Sequence, residues 1–226
     1  MMKYLVDNKL INKNQHGFVN NKICVTNLLE SLDFITNSID NGWDVIVLFL
    51  DFAKAFDSIG HKKLLVKLDA LGFKSKLLGW CQGFLKNRLQ RVVIGDNTSE
   101  WEEVMSGILQ GSVLGPLLFV AYINDISTKI KSSCKLFDDD TKILRAIIDE
   151  NDIIELQQDI DVLMELSNEW LIKFNLQKCK IMVIRNNQHK FSMNNTALVY
   201  SSIEKDLGVN ISDDLGWKHH PSITEY

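Results

Sequence analysis

Six apolar residues in a row, Val45-Ile46-Val47-Leu48-Phe49-Leu50, run directly into Asp51. A run this short, rich in β-branched residues and lacking polar alternation, reads as a buried strand. The fold must therefore cover a sheet, and it carries a carboxylate at the C-terminal end of a core strand. Helical spacing appears on either side of it. Thr26–Ile39 repeats apolar residues at Leu28, Leu29, Leu32, Ile35 and Ile39, and Ile153–Phe174 does so at Leu156, Ile160, Leu163, Leu166 and Trp170. Helices are also expected over 61–71, 75–87 and 112–126. Strands are expected over 91–95 and 101–105 about an Asp-Asn turn, over 134–137 and 141–146 joined across three aspartates, and over 179–184, 197–201 and 206–211. The irregular order of elements suits an α+β domain, an antiparallel sheet backed by helices.

With 226 residues, 46% of them hydrophobic, the chain can build one substantial core. No stretch approaches the roughly 18–20 apolar residues of a membrane helix, and Asp7 interrupts the N-terminus before a signal-like run develops. The expectation is a soluble, intracellular protein with no membrane partner; nothing in the sequence separates nucleus from cytoplasm. Cys24, Cys81, Cys134 and Cys179 form no CxxC pair, and no HExxH pattern occurs, which argues against zinc sites and a disulfide framework. Charge is unevenly spread. Between Gly60 and Val92 eight cations (Lys62, Lys63, Lys67, Lys74, Lys76, Lys86, Arg88, Arg91) face a single acid, Asp69, in a chain of net charge −4. Such a run is either a solvated helical face or a surface for polyanions.

Asp51 and the triplet Asp138-Asp139-Asp140 lie at the ends of strand candidates. Hard divalent cations prefer carboxylate oxygens, and two ions roughly 3.5–4 Å apart suit phosphoryl displacement. From these residues alone, a metal site and a solvated acidic turn read equally well.

Four segments in order add context: Asp51 to Asp57, Ser106-Gly107-Ile108-Leu109-Gln110-Gly111 through Phe119, Tyr122-Ile123-Asn124-Asp125, and Leu136-Phe137-Asp138-Asp139-Asp140-Thr141. The series resembles the reverse transcriptase domain of non-LTR retrotransposons, the jockey-like group in particular. Gln15-His16-Gly17-Phe18 looks like the end of the fingers and Lys205-Asp206-Leu207-Gly208-Val209 like the strand gripping the primer. The resemblance implies a right-hand polymerase palm with partial fingers (1–43), the first catalytic strand (44–60), a basic helical fingers insertion (61–100) and palm through the primer grip (101–226). It implies an RNA-directed DNA polymerase working on RNA template, DNA primer and dNTPs with two Mg²⁺ ions, for which Mn²⁺ can substitute. Asp51, the carbonyl of Phe52, Asp139 as second principal ligand and neighbouring Asp140 would hold the metals. Lys178 would protonate the departing pyrophosphate. Phe56 would be the steric gate, Gln110 and Gly111 would face the nascent base pair, and Leu207 and Gly208 would grip the primer. Lys62, Lys63, Lys67, Lys86, Arg88 and Arg91 would follow template phosphates.

The chain departs from the family pattern at Asp138, where a small apolar residue is usual, at Leu109 in place of proline, and at Val19-Asn20-Asn21-Lys22-Ile23, where arginines and a serine are usual. Asp138 is expected in a strand, pointing away from the face of Asp139. By the resemblance the chain is cut at both ends and lacks a thumb, so its own activity is expected to be weak or absent. The competing expectations are a non-catalytic retroelement relic that binds nucleic acid and a two-metal nuclease.

Overall fold

The computed structural model describes residues 1–185 and 189–216, excluding the side chain of Ser75. His219, His220 and the end of the expected palm segment lie outside the described residues. In chain order the elements are α1 (Met2–Asp7), α2 (Cys24–Asp40), β1 (Asp44–Leu50), α3 (His61–Ala70), α4 (Ser75–Leu85), β2 (Leu89–Gln90), β3 (Val93–Ile94), β4 (Asn97–Thr98), β5 (Glu102–Glu103) and α5 (Gly115–Ile123). Then follow β6 (Ser133–Phe137), β7 (Asp140–Ile147), α6 (Glu150–Trp170), β8 (Lys180–Ile184), β9 (Ser192–Met193), β10 (Thr196–Ala197), β11 (Val199–Tyr200), β12 (Ile203–Asp206) and β13 (Val209–Ser212).

The expected apolar strand is the centre of the main sheet, whose order is β11-β8-β1-β7-β6. β1 runs antiparallel to both neighbours, with Val47 opposite Leu144 and Met182 and with Leu50 opposite Thr141. Because side chains alternate along a strand, β1 feeds two clusters. Ile46 and Leu48 join Leu156, Ile160 and Leu163 of α6 on one face, whereas Val45 and Val47 join Leu28 and Ile35 of α2 on the other. Helices therefore cover both faces, which is why β1 has no polar side. The hairpin β12–β13 lies on the α2 face through Leu207, Val209 and Ile211. α6 opens on a capping box: Asp149 accepts from the Asn151 amide at 2.8 Å and Asp152 accepts from the Asp149 amide at 3.2 Å.

Several expected elements differ in detail; the strand expected over 197–201 divides between β10, which pairs with β9, and β11, which pairs with β8. The connection between β6 and β7 is a two-residue turn, Asp138-Asp139, and Asp140 already belongs to the ladder opposite Phe137. Asp138 is thus a turn residue with φ +55°, not a strand residue. The strand expected over 206–211 is a hairpin whose turn is Leu207-Gly208, with φ +48° and +91°; positive φ at both central residues suits the strand twist of a two-residue hairpin. The two strands expected about residues 96–97 break into a narrow exposed ribbon, β2 with β5 and β3 with β4, extended by the Ser99 amide, which donates to the Val92 carbonyl at 2.9 Å.

Candidate active site

The register of the main sheet assembles the site. Phe49 stands opposite Lys142 on β7 and Lys180 on β8. Two residues further along each strand come Asp51 and, on β7, Asp140, both therefore on the Phe49 face with Lys142. Beyond β1 the chain pairs with the segment that follows α6. The Asn175 amide donates to the Asp51 carbonyl at 2.8 Å and the Ala53 amide to the Lys173 carbonyl at 2.7 Å. Phe52 bridges Phe174 and stacks on its ring at 4.8 Å. This pairing brings in Lys178, whose Nζ lies 3.4 Å from Asp51 Oδ2.

Asp51, Asp140, Lys142, Lys178, Asp206 and Leu207 line one open cleft of about 390 Å³. Asp139 sits beside it in the β6–β7 turn, and Gly208 follows Leu207 in the hairpin turn. The carboxylates crowd one another. Asp140 is pushed up to about 6 by partial desolvation and by the charges of Asp139, Asp206 and Asp51. Asp138 is pushed up to about 7, by burial first and then by Asp139 and Asp140. A divalent cation would relieve that repulsion, and carboxylate oxygens are the donors that Mg²⁺ takes. Among the described residues no three metal-ligating side chains form a closed set.

A second loop is pressed against the segment after Asp51. The Gly107 amide donates to the Ile59 carbonyl and the Ile108 amide to the Phe56 carbonyl, both at 2.8 Å, and Ser106 Oγ donates to the Asp57 carbonyl at 3.0 Å. A Cβ on Gly107 would stand 2.8 Å from Asp57 Cα, and its φ is +86°. Gly107, which sequence reading passed over, is thus what lets this loop close on the Asp51 segment. The Phe56 ring stacks on Phe119 at 4.9 Å and is half-buried. Gln110 and Gly111 form an exposed turn. Leu109 is half-exposed, and its carbonyl accepts from Ser112 Oγ at 2.7 Å, holding the turn that proline would otherwise restrain.

Of the expected basic surface, Lys62, Lys86 and Arg91 are exposed, and Arg91 stacks 4.6 Å over Trp101. Lys63 donates to the Glu169 carbonyl, and Arg88 donates to the Gly107 carbonyl at 3.3 Å. Lys67 requires a correction. Only 8% of its side chain is exposed; the ammonium pairs with Asp125 at 2.6 Å and lies 3.8 Å from the Trp170 ring centroid. It ties α3 to α5 and α6 and is not presented to a polyanion. Helical spacing alone could not separate it from Lys62 and Lys63.

The segment Asn14–Gly17 runs beside β6. The Leu136 amide donates to the Asn14 carbonyl at 3.0 Å, and the His16 amide donates to the Leu136 carbonyl at 2.8 Å. Gln15 Oε1 accepts from the Gly17 amide at 2.6 Å and from the Asp138 amide at 3.3 Å. A Cβ on Gly17 would fall 2.3 Å from the Asp138 nitrogen. Gln15-His16-Gly17 is therefore the seat of the aspartate turn. Asp138 Oδ1 is buried there without a partner.

The chain matches the family described as reverse transcriptase (RNA-dependent DNA polymerase) over residues 1–211. It is 24% identical to the RNA-directed DNA polymerase from mobile element jockey of Drosophila melanogaster, over 94% of this chain and 24% of that protein. To the probable RNA-directed DNA polymerase from transposon X-element of the same species it is 29% identical, over 74% of this chain and 19% of that protein. It thus spans about a fifth to a quarter of the length of these curated relatives. Among solved structures, telomerase from Candida albicans in complex with a TWJ fragment of telomeric RNA superposes with TM-score 0.63 at 12% identity, covering 95% of this chain and 37% of that one. Apo telomerase from Candida tropicalis gives 0.62 at 10% identity, covering 94% and 38%. These likenesses show a shared α+β, palm-like fold. The match over residues 1–211 shows that the protein belongs to the reverse transcriptase family.

Proposed function

We propose that this chain carries the nucleotidyl-transfer centre of an RNA-directed DNA polymerase. The observation that carries the reading is the convergence of Asp51, Asp140 and Lys178 in one cleft beneath the hairpin turn at Leu207. Asp51, Asp139, Asp140 and the Phe52 carbonyl would hold Mg²⁺ ions. When bound, two such ions lower the pKa of an attacking hydroxyl and neutralise charge on a triphosphate. The residues do the remaining work. Lys178, exposed and 3.4 Å from Asp51, would donate a proton to departing pyrophosphate. The Phe56 ring, braced by Phe119, is a rigid wall against a 2′-hydroxyl. Gln110 and Gly111, exposed in their turn, would face the nascent base pair, and Leu207-Gly208 would hold the primer end. Lys62, Lys63, Lys86, Arg88 and Arg91 would contact template phosphates without reading sequence. In this reading residues 44–60 and 101–216 make the palm, and 1–43 and 61–100 belong to the fingers.

A specific observation favours a second reading. The partnerless Asp138 oxygen beside the site adds a carboxylate where the family pattern has a small apolar residue, so the chain would bind nucleic acid without copying it. Primer extension on poly-A with oligo-dT and labelled dTTP, in Mg²⁺ and in Mn²⁺, separates the two. Incorporation by the wild type that Asp51→Ala abolishes supports the polymerase. Silence that Asp138→Ala relieves identifies a site disabled by one carboxylate. Silence in every variant, with salt-sensitive binding intact, leaves the binding protein.

A further inference from the structure

Among the described residues the hairpin β12–β13 pairs only with itself, and its ladder does not join the five-stranded sheet. At its base the Ser201 amide donates to the Ile181 carbonyl at 2.9 Å, and the Asp213 amide donates to the Ser202 carbonyl at 3.0 Å. The turn at Leu207-Gly208 lies at the opposite end, so the hairpin projects from its base across the cleft. Apolar contacts of Leu207, Val209 and Ile211 hold it against the α2 face, but such contacts are non-directional and permit sliding. A directional link also reaches the far end. Asp206, the last residue before the turn, pairs with Lys142 on β7, and their side chains are 3% and 5% exposed.

Two features make this pair more than a stabilising contact. Burying both charges incurs a desolvation cost that the attraction barely offsets, so apolar residues of similar volume would hold the hairpin at least as firmly. And Lys142 stands two residues from Asp140, on the same face of the same strand. Resting on the polymerase reading, we propose that Lys142 and Asp206 are a positioning pair that fixes the primer-gripping turn at a set height above the carboxylates. A displacement of β7 is then transmitted to the turn. The height decides whether a primer end held by Leu207-Gly208 meets the metal-binding carboxylates.

Hydrogen exchange resolved by residue, run beside primer extension, tests this in the full chain. Asp206→Asn and Lys142→Met each leave one buried group unmatched. They are expected to speed exchange of the 205–210 amides by about tenfold or more while β1 and β8 amides change less than about twofold. The same variants are expected to lower the extension rate about tenfold while primer–template affinity falls less than about threefold. The double variant Lys142→Met/Asp206→Leu, which removes both charges and refills the space, is expected to restore protection and most of the rate. Unchanged hairpin protection in both single variants overturns the proposal, and so does loosening spread evenly over the sheet. If neither the wild type nor Asp138→Ala extends primers, the polymerase reading fails, while the exchange data still decide whether the pair seats the hairpin.

Discussion

Asp138 combines two costs at one position: a left-handed backbone at φ +55° and a carboxylate oxygen buried without a partner. Glycine adopts that backbone freely and removes the carboxylate. Relief of an unmatched buried group, about 1–3 kcal/mol, exceeds the roughly 0.4–1 kcal/mol by which glycine favours the unfolded chain. Asp138→Gly is therefore expected to raise the urea midpoint, with a net gain of about 1 kcal/mol. Alanine removes the carboxylate but keeps the backbone strain, and its gain should be smaller. His16 makes a pH prediction. The residue is 1% exposed, and its Nδ1 lies 3.0 Å from Thr26 Oγ1. Burial, then the charge of Lys22, hold its pKa below 6.5, with Glu30 opposing. The unfolded chain thus takes up this proton first as pH falls, so the stability contributed by neutral His16 is present above about 6.5 and lost below it. A denaturant series between pH 7.5 and 5.5 should show stability declining with acidity, and His16→Gln should flatten that decline.

At the scale of elements, the loop over 106–111 depends on one missing side chain. Gly107→Ala sets a methyl group 2.8 Å from the Asp57 backbone at a φ of +86°. The expected cost is about 2–4 kcal/mol, a fall in Tm of roughly 10 °C by calorimetry, and the loop should lose its bonds to Phe56 and Ile59. Regular elements with one strong pattern were legible in the sequence: β1 from its unbroken apolar run, and α2 and α6 from their spacing. The β12–β13 hairpin was not, because Leu207-Gly208 lacks the asparagine or aspartate that marks such turns, so Asp206 to Ile211 reads as one strand. The Asp138-Asp139 turn was hidden likewise, since three identical residues give no clue where pairing resumes. In the site, Asp51 and the aspartate cluster stood out by chemistry and order. Lys67 misled because the ring that buries it, Trp170, lies 103 positions away in the chain, and Lys142 and Asp206, 64 apart, carry no local sign of their pairing.

The whole molecule is a sheet sheltered on both faces, with one element left outside. The ribbon β2–β5 stands in solvent with Leu89, Val92, Val93, Ile94 and Trp101 exposed. Brief trypsin treatment is expected to cut first at Arg91, as seen by mass spectrometry, with the two pieces still co-eluting, because the helices before the ribbon and α5 after it share one core. Early cleavage within β1 or β7 would contradict that arrangement. The central position of β1 also has a consequence in time. Its two partners are β7 and β8, so the strand is complete at residue 50 but fully paired only when residue 184 is available. At about 5–20 residues per second of synthesis, that interval is roughly 7–27 s. Throughout it a nascent chain carries Val-Ile-Val-Leu-Phe-Leu with at least one edge open, a segment suited to pairing with copies of itself. The strand that organises the finished site is thus the segment most in need of a chaperone while the protein is being made.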